Sequence, residues 1–316
     1  MPTSLTNAKM SPDLAARVES AVTGRRQSSR ERASSARVVA IVRALVILVI
    51  GTIVASIVVA RRQSARELEA MRQRIMDDVH AKGAGVTEAD RTATSRDEAW
   101  LLKSSGAYEG ELAYADLTEL FARPAVYVRG TTDAFTTSSG VSRAIKSSVK
   151  DALLSCLVSP PSARTEKALM ERVRGVYQGG AAFEKQTANV YELADANASL
   201  RVLSPNWEQS VRRADDLLEL TQRKTELERA PLDQGVKALR ATTLIAVMDE
   251  TSNATGPAEL DGERPHDVRL IVVDLVASKV RLRTRKRVDP TVWSLSVRAN
   301  YASGIDGCAF AFDLRR

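Results

Sequence analysis

Histidine and cysteine are nearly missing, with two of each in 316 residues. Two cysteines exclude a disulfide-rich scaffold. Aromatic residues make up 4% of the chain, and all fourteen lie between Trp100 and Phe312. Large aromatics supply much of the burial in a packed core, so the stretch before Trp100 is not a globular domain and folding begins near residue 95. There is no phosphate-binding glycine loop: Gly140-Val141-Ser142 has neither the spacing nor the lysine of one. No serine stands in a nucleophile-elbow pattern.

What is present is charge, at 27%, and apolar side chains, at 44%. That balance excludes a collagen-like, polytopic membrane or wholly disordered chain. The net charge is +7, which invites a nucleic-acid reading. Its distribution removes that reading. Residues 1–82 hold 14 Lys and Arg against 7 Asp and Glu, whereas residues 83–316 hold 32 of each. The excess flanks one apolar segment, so it speaks of a bilayer and its anionic headgroups.

Residues 1–37 mix serines with six arginines and one lysine and show no apolar period, as a disordered basic tail does. Residues 38–60, VVAIVRALVILVIGTIVASIVVA, contain one charge. About twenty apolar residues cross a hydrocarbon core, so this is a transmembrane helix, with Arg43 near enough to its end to snorkel. The stretch exceeds the length of a signal-peptide core and no lipoprotein cysteine follows it, so it reads as an uncleaved signal anchor. Five arginines lie within fifteen residues on each side, and a plain count gives no orientation. A long basic tail crosses poorly while long domains cross regardless of charge. The expected topology is single-pass in the inner cell membrane, with the tail inside and the folded part extracytoplasmic.

Residues 61–82 form an amphipathic stalk helix with Leu68, Met71, Ile75 and Val79 on one face. That face would lie on the membrane or pair with a second copy as a homodimer. Residues 83–95 read as a linker, and residues 96–316 as a single globular domain of α+β or mixed α/β class. Its helices are expected from a capping box at Ser95 to Glu98, over Glu109 to Phe121, Val141 to Val149 and Ala163 to Tyr177 (stopped by Gly179-Gly180), from Ser204-Pro205 to Glu228, and from Pro231 to Leu239. Strands are expected at Ala125 to Val128, Ala152 to Val158, Thr242 to Met248, Val268 to Val276, Lys279 to Val288 and Cys308 to Leu314. Residues 181–203 read as irregular, Gly256-Pro257 as a loop, and Val292 to Tyr301 as a strand or helix. The segments Ala125 to Val128, Leu153 to Val158, Leu239 to Met248 and the hairpin from Val268 to Arg285 together resemble the small α/β domain of bacterial envelope lipoproteins such as the penicillin-binding-protein activators. The resemblance covers about half the chain and lacks the group's lipid-bearing cysteine.

The chemistry is sparse. His80 falls on the stalk. His266 sits in Glu263-Arg264-Pro265-His266-Asp267, read as a solvated loop or local salt bridge, since a metal needs three or four convergent ligands. Asp215-Asp216 and Asp249-Glu250 read as surface charge, because neighbours in sequence point different ways. No cofactor is implied. Cys156 and Cys308 fall in expected strands; they form a disulfide if those strands are neighbours, and are buried free thiols otherwise. Lys279, Arg281, Arg283, Arg285 and Arg287 alternate, so a regular strand would send all five to one face about 6.7 Å apart. With Ala277-Ser278 as the turn, Asp274 alone on the partner strand would oppose that row, at Arg281. The row then either meets acids from another element, guards a sheet edge, or offers a face to an anionic partner such as anionic lipid or envelope polymer. The functional expectation is a membrane-anchored binding or scaffolding domain of the cell envelope. The alternatives are a membrane-tethered enzyme with a dispersed Asp, Glu, Arg and Ser site, or a cytoplasm-facing regulator.

Overall fold

The computed structural model describes residues 12–178, 181–250, 265–289 and 292–315. The chain divides into two units, Met1–Ala70 and Met71–Arg316. Helix α1, Pro12–Gly83, supplies the described part of the first unit and the opening of the second. From Val42 onward it is the one helix among the described residues long and apolar enough to cross a membrane. Its apolar side chains are exposed there, Ile47 at 70% and Leu48 at 63%, as suits a surface that faces lipid. The backbone is already helical from Pro12, where a disordered tail is expected through residue 37; residues 1–11 lie outside the described residues.

The second unit is built on a five-stranded sheet of β1 (Ala125–Thr131), β2 (Val190–Glu192), β3 (Thr243–Glu250), β4 (His266–Asp274) and β5 (Lys279–Val288). Their order is β2-β1-β3-β4-β5. The pairs β1–β2 and β1–β3 are parallel, and β3–β4 and β4–β5 are antiparallel. Alternate strand residues feed two cores. Tyr127, Ile245, Val247 and Leu270 pack beneath α3 (Leu117–Ala122), α5 (Ala152–Val158), α6 (Glu166–Tyr177) and α12 (Leu295–Leu314). Val126, Val128, Leu244 and Ile271 pack beneath α2 (Glu88–Ser104), α4 (Ser138–Ser147), α8 (Leu193–Val202) and α11 (Leu232–Leu239). Helices on both faces of a mixed sheet make one three-layered α/β domain. This is why β3 reads as a continuous apolar run, buried at every position but its last.

Several expected elements differ. Ala152–Val158 is the helix α5 rather than a strand. Residues 152 to 157 are all buried, which erases the helical period, and Asp151 caps the segment by accepting from Leu154 N at 2.9 Å. Cys308 to Leu314 likewise belongs to α12. Helix α2 begins at Glu88 from a capping box made by Thr87 and Asp90, so the expected linker shrinks to a turn and the cap expected at Ser95 lies inside a helix. Of Glu109 to Phe121 only Leu117–Ala122 is helical. Gly110 adopts φ +92, which favours glycine, and Leu112 pairs its backbone with Arg283 across the outer edge of β5. The long helix expected from Ser204 is two, α9 (Pro205–Arg213) and α10 (Leu217–Arg229), because Asp216 caps a second start. Residues 181 onward hold α7 (Ala181–Gln186), β2 and α8 in place of irregular chain. Gly179-Gly180 and the Gly256-Pro257 loop lie outside the described residues.

The stalk stripe is not free either. Ile75, Met76 and Val79 are buried, and Arg72 donates to the carbonyls of Val211 and Ala214 at 3.4 and 2.9 Å. Ile75 and Val79 of the stripe thus pack within the chain's own globular unit.

Helix α12 approaches α5 and α6 through glycines. An added Cβ at Gly304 would stand 2.6 Å from Val173 Cγ1, and one at Gly307 2.9 Å from Leu153 Cβ. This contact brings Cys156 and Cys308 together in a disulfide, Cα to Cα 5.1 Å, between helices rather than strands. It spans 152 residues, so it removes much of the freedom of the unfolded chain. Replacing both cysteines by alanine is expected to lower the unfolding free energy by about 2–4 kcal/mol, measured as a fall in the urea midpoint with a steeper slope, because the uncrosslinked chain unfolds to a more open state. An unchanged midpoint would show that the bond contributes nothing.

Candidate functional site

The arginine row on β5 is interrupted. Val272 pairs with Leu282 and Val273 with Val280, which leaves Arg281 as the extra residue of a bulge. Val280 consequently packs on one core and Leu282 on the other, and the five cations do not share a face. The turn spans Leu275 to Ser278, with Ser278 at φ +50, and puts Asp274 opposite Lys279 rather than Arg281.

Acids from several elements meet the row. Arg281 Nη2 donates to Asp274 Oδ2 at 3.0 Å, and Arg123 Nη1 donates to the same oxygen at 3.2 Å. The backbone N–H of Ala277, together with these arginines, holds the Asp274 carboxyl below its usual range. Arg283 pairs with Glu109, Arg285 with Glu250 and Asp267, and Arg287 stands 3.8 Å from Asp267. The Tyr108 ring lies under the guanidinium groups of Arg269 and Arg285, 5.7 and 6.0 Å from their centres. Glu109 lies ahead of α3 rather than in the helix expected from it, and Asp267, expected in a loop, stands on β4 opposite Arg287.

The strongest concentration of buried charge lies elsewhere, at the carboxyl ends of the parallel strands β1 and β3, where open α/β sheets assemble their sites. Arg129, near the end of β1, is 9% exposed. Its Nε and Nη2 donate to the two carboxylate oxygens of Asp249 on β3, both at 2.9 Å. Its Nη1 donates to Asp151 Oδ2 at 2.8 Å, which also accepts from the Tyr127 hydroxyl at 3.0 Å. The Arg129 backbone N–H donates to Ser148 Oγ at 3.0 Å. His266, at the start of β4, brings Nε2 to 3.4 Å from Asp249 Oδ1. Asp306 on α12 accepts from Trp293 Nε1 at 2.6 Å and feels the charges of His266 and Arg129.

Burial and charge drive the two aspartates apart. Burial pushes the Asp249 carboxyl up, but Arg129 and His266 outweigh it and hold it down at about 2. Burial dominates at Asp306, against the Trp293 hydrogen bond, and raises it to about 7. An Asp306 carboxyl half-protonated near neutrality is a competent proton donor and acceptor. Trp293, His266 and Arg129 beside it are buried, Asp289, whose charge also raises it, is partly buried, and Asp249 already spends both oxygens on Arg129. Three cavities lined by described residues lie away from this cluster. As it stands, the cluster fastens β1, β3, β4, α5 and α12 together.

His266 and Asp249, expected as solvated groups, are thus interior, 7% and 2% exposed; Glu263 and Arg264 beside His266 lie outside the described residues. Asp216 is a helix cap, and His80 stands 3.6 Å from Glu208 rather than outside any fold. Among the described residues no group of three or more His, Cys, Asp or Glu is placed to hold a metal ion. The Leu153 to Val158 segment, being helical, removes one of the four pieces on which the likeness to envelope lipoproteins rests. No family model, curated protein or solved structure matches the chain.

The opposed shifts set a pH dependence. Asp249, depressed when folded, contributes stability above its unfolded value near ~4, lost as pH falls through about 2. Asp306, raised when folded, contributes stability below ~4 that is lost as pH rises through about 7. Asp306→Asn should therefore leave the melting temperature unchanged at pH ~4 and raise it above pH ~7; equal pH profiles for the two proteins would overturn that assignment. Asp249→Asn leaves Arg129 with one carboxylate and should cost about 3–5 kcal/mol in urea unfolding at neutral pH.

Proposed function

We propose that this is a single-pass membrane-anchored protein whose Met71–Arg316 unit works on the extracytoplasmic side of the cell membrane as a binding or scaffolding domain of the envelope. The observation that carries the reading is the Cys156–Cys308 disulfide in a chain whose described residues include one helix apolar enough to span a bilayer. Structural disulfides persist in oxidising compartments and are rare in the cytosol. The binding role draws support from a polar interior whose carboxylates are engaged by Arg129 and Trp293 rather than turned into a cleft. The β5 arginines are matched by acids, so a binding role does not depend on them.

A membrane-tethered enzyme is the second reading, favoured by Asp306. A carboxyl kept at about 7 by burial costs the fold stability near neutrality, and costs of that kind accumulate at sites retained for activity.

Fusion of alkaline phosphatase at Arg316 tests the topology. It should be active, while a fluorescent protein that matures only in the cytoplasm should stay dark at the same position. Thiol trapping of the full chain in acid-quenched cells should leave both cysteines unlabelled until a reductant is added. A dark phosphatase fusion with labelled cysteines would put the domain in the cytoplasm and overturn the reading.

A further inference from the structure

Between α5, α6 and α7 lies a cavity of about 360 Å³, within the range that accepts a small molecule. Arg172 lines it together with Ser155, Ser162, Gln186, Val176 and Phe183. Arg172 Nη1 donates to Gln186 Oε1 at 2.7 Å and Nη2 donates to Ser159 Oγ at 3.4 Å. Ser155 Oγ donates to the same Gln186 oxygen at 3.3 Å, which fixes the amide that holds the guanidinium. Both of the arginine's partners are neutral. A guanidinium carries five N–H donors, and these two bonds leave three for another acceptor.

The contrast with the rest of the domain is one of charge. Arg129 is buried with two carboxylates, and the partly buried Arg269 has one. Arg172 is half-buried, its proton affinity is pulled down by burial, and no acid among the described residues offsets that. A cation withdrawn from water without a counter-charge is costly, and a carboxylate arriving on its free N–H groups relieves the cost. Val176, 8% exposed, and Phe183, 9% exposed, supply an apolar wall beside it. Glu171, exposed, also lines the cavity, and its charge opposes a dianion more than a monoanion held on Arg172. The walls thus fit one carboxylate joined to an apolar body better than a phosphate.

We propose that the cavity between α5, α6 and α7 binds a small monocarboxylate, with its carboxylate on Arg172 and its apolar part against Val176 and Phe183. The inference rests on the reading of the domain as a binding domain and names what it binds; it does not depend on which side of the membrane the domain occupies.

The test uses the full chain in lipid nanodiscs with benzoate as the probe, benzyl alcohol as its neutral counterpart and inorganic phosphate as a dianion, read by saturation-transfer NMR. Benzoate should bind with a Kd of about 1 mM or tighter, and Arg172→Gln should weaken it by about tenfold or more. Neither benzyl alcohol nor phosphate should displace it. Gly175→Glu adds a carboxylate to the cavity at a helix position where a new Cβ meets nothing within 4 Å, and it should also weaken benzoate while the protein stays folded. If Arg172→Gln does not fold, Gly175→Glu decides alone. Absence of benzoate binding, equal binding by a folded variant, or displacement by phosphate would overturn the proposal. A failure of this kind with an active phosphatase fusion removes the ligand assignment and leaves the membrane topology standing.

Discussion

The domain depends on one buried guanidinium. Arg129 leaves the end of β1 and is held by Asp249 from β3 and Asp151 from the start of α5. Withdrawing a charge from water costs several kcal/mol before any partner arrives, so the arrangement stands only while both carboxylates are in place. Asp151 serves two purposes at once: Oδ1 caps α5 through Leu154 N while Oδ2 receives Arg129 and Tyr127. Capping geometry and ion pairing therefore fix the same helix. Helix α5 passes the constraint on through Cys156 to α12, and α12 returns Asp306 to the neighbourhood of His266 and Arg129. Covalent, ionic and hydrogen-bonded links close one circuit around the end of the sheet.

The sequence makes the amphipathic and β-branched elements legible and hides the buried helices. Strands β1, β3 and the β4–β5 hairpin announce themselves by composition, and α11 by the proline ahead of it. Helix α5 and residues 304–312 of α12 do not, because a helical stretch buried at successive positions loses the polar face that marks its period. Ala152 to Val158 then looks like a core strand. The one local sign against that reading is Asp151, a capping residue placed immediately before an apolar run.

The central charges were harder to read for a different reason. Asp249 was visible as half of an acidic pair, but adjacent carboxylates on a strand point to opposite faces. Asp249 enters the interior while Glu250 goes to Arg269 and Arg285 on the other side. Arg129 resembled any charged residue following a strand. What pairs it with residues over a hundred positions away is the parallel register of β1 and β3, which aligns Arg129 beside Val247 and Thr131 beside Asp249. No local pattern encodes that alignment. The arginine row shows the converse: its alternation is plain in the sequence, yet a single bulge residue at Arg281 divides it between two faces.

The two devices that hold α5 respond to different variables. The disulfide acts largely by restricting the unfolded chain and is indifferent to pH. The Arg129 network acts in the folded state and weakens in acid as Asp249 takes up a proton. The buried Asp306 carboxyl pulls the other way, weakening the fold as pH rises. In acid the domain loses part of its ionic fastening, and above about 7 it bears the cost of a buried Asp306 carboxylate. The covalent link between α5 and α12 would persist throughout, keeping Ser155 on α5, beside Cys156, in place along the wall of the Arg172 cavity.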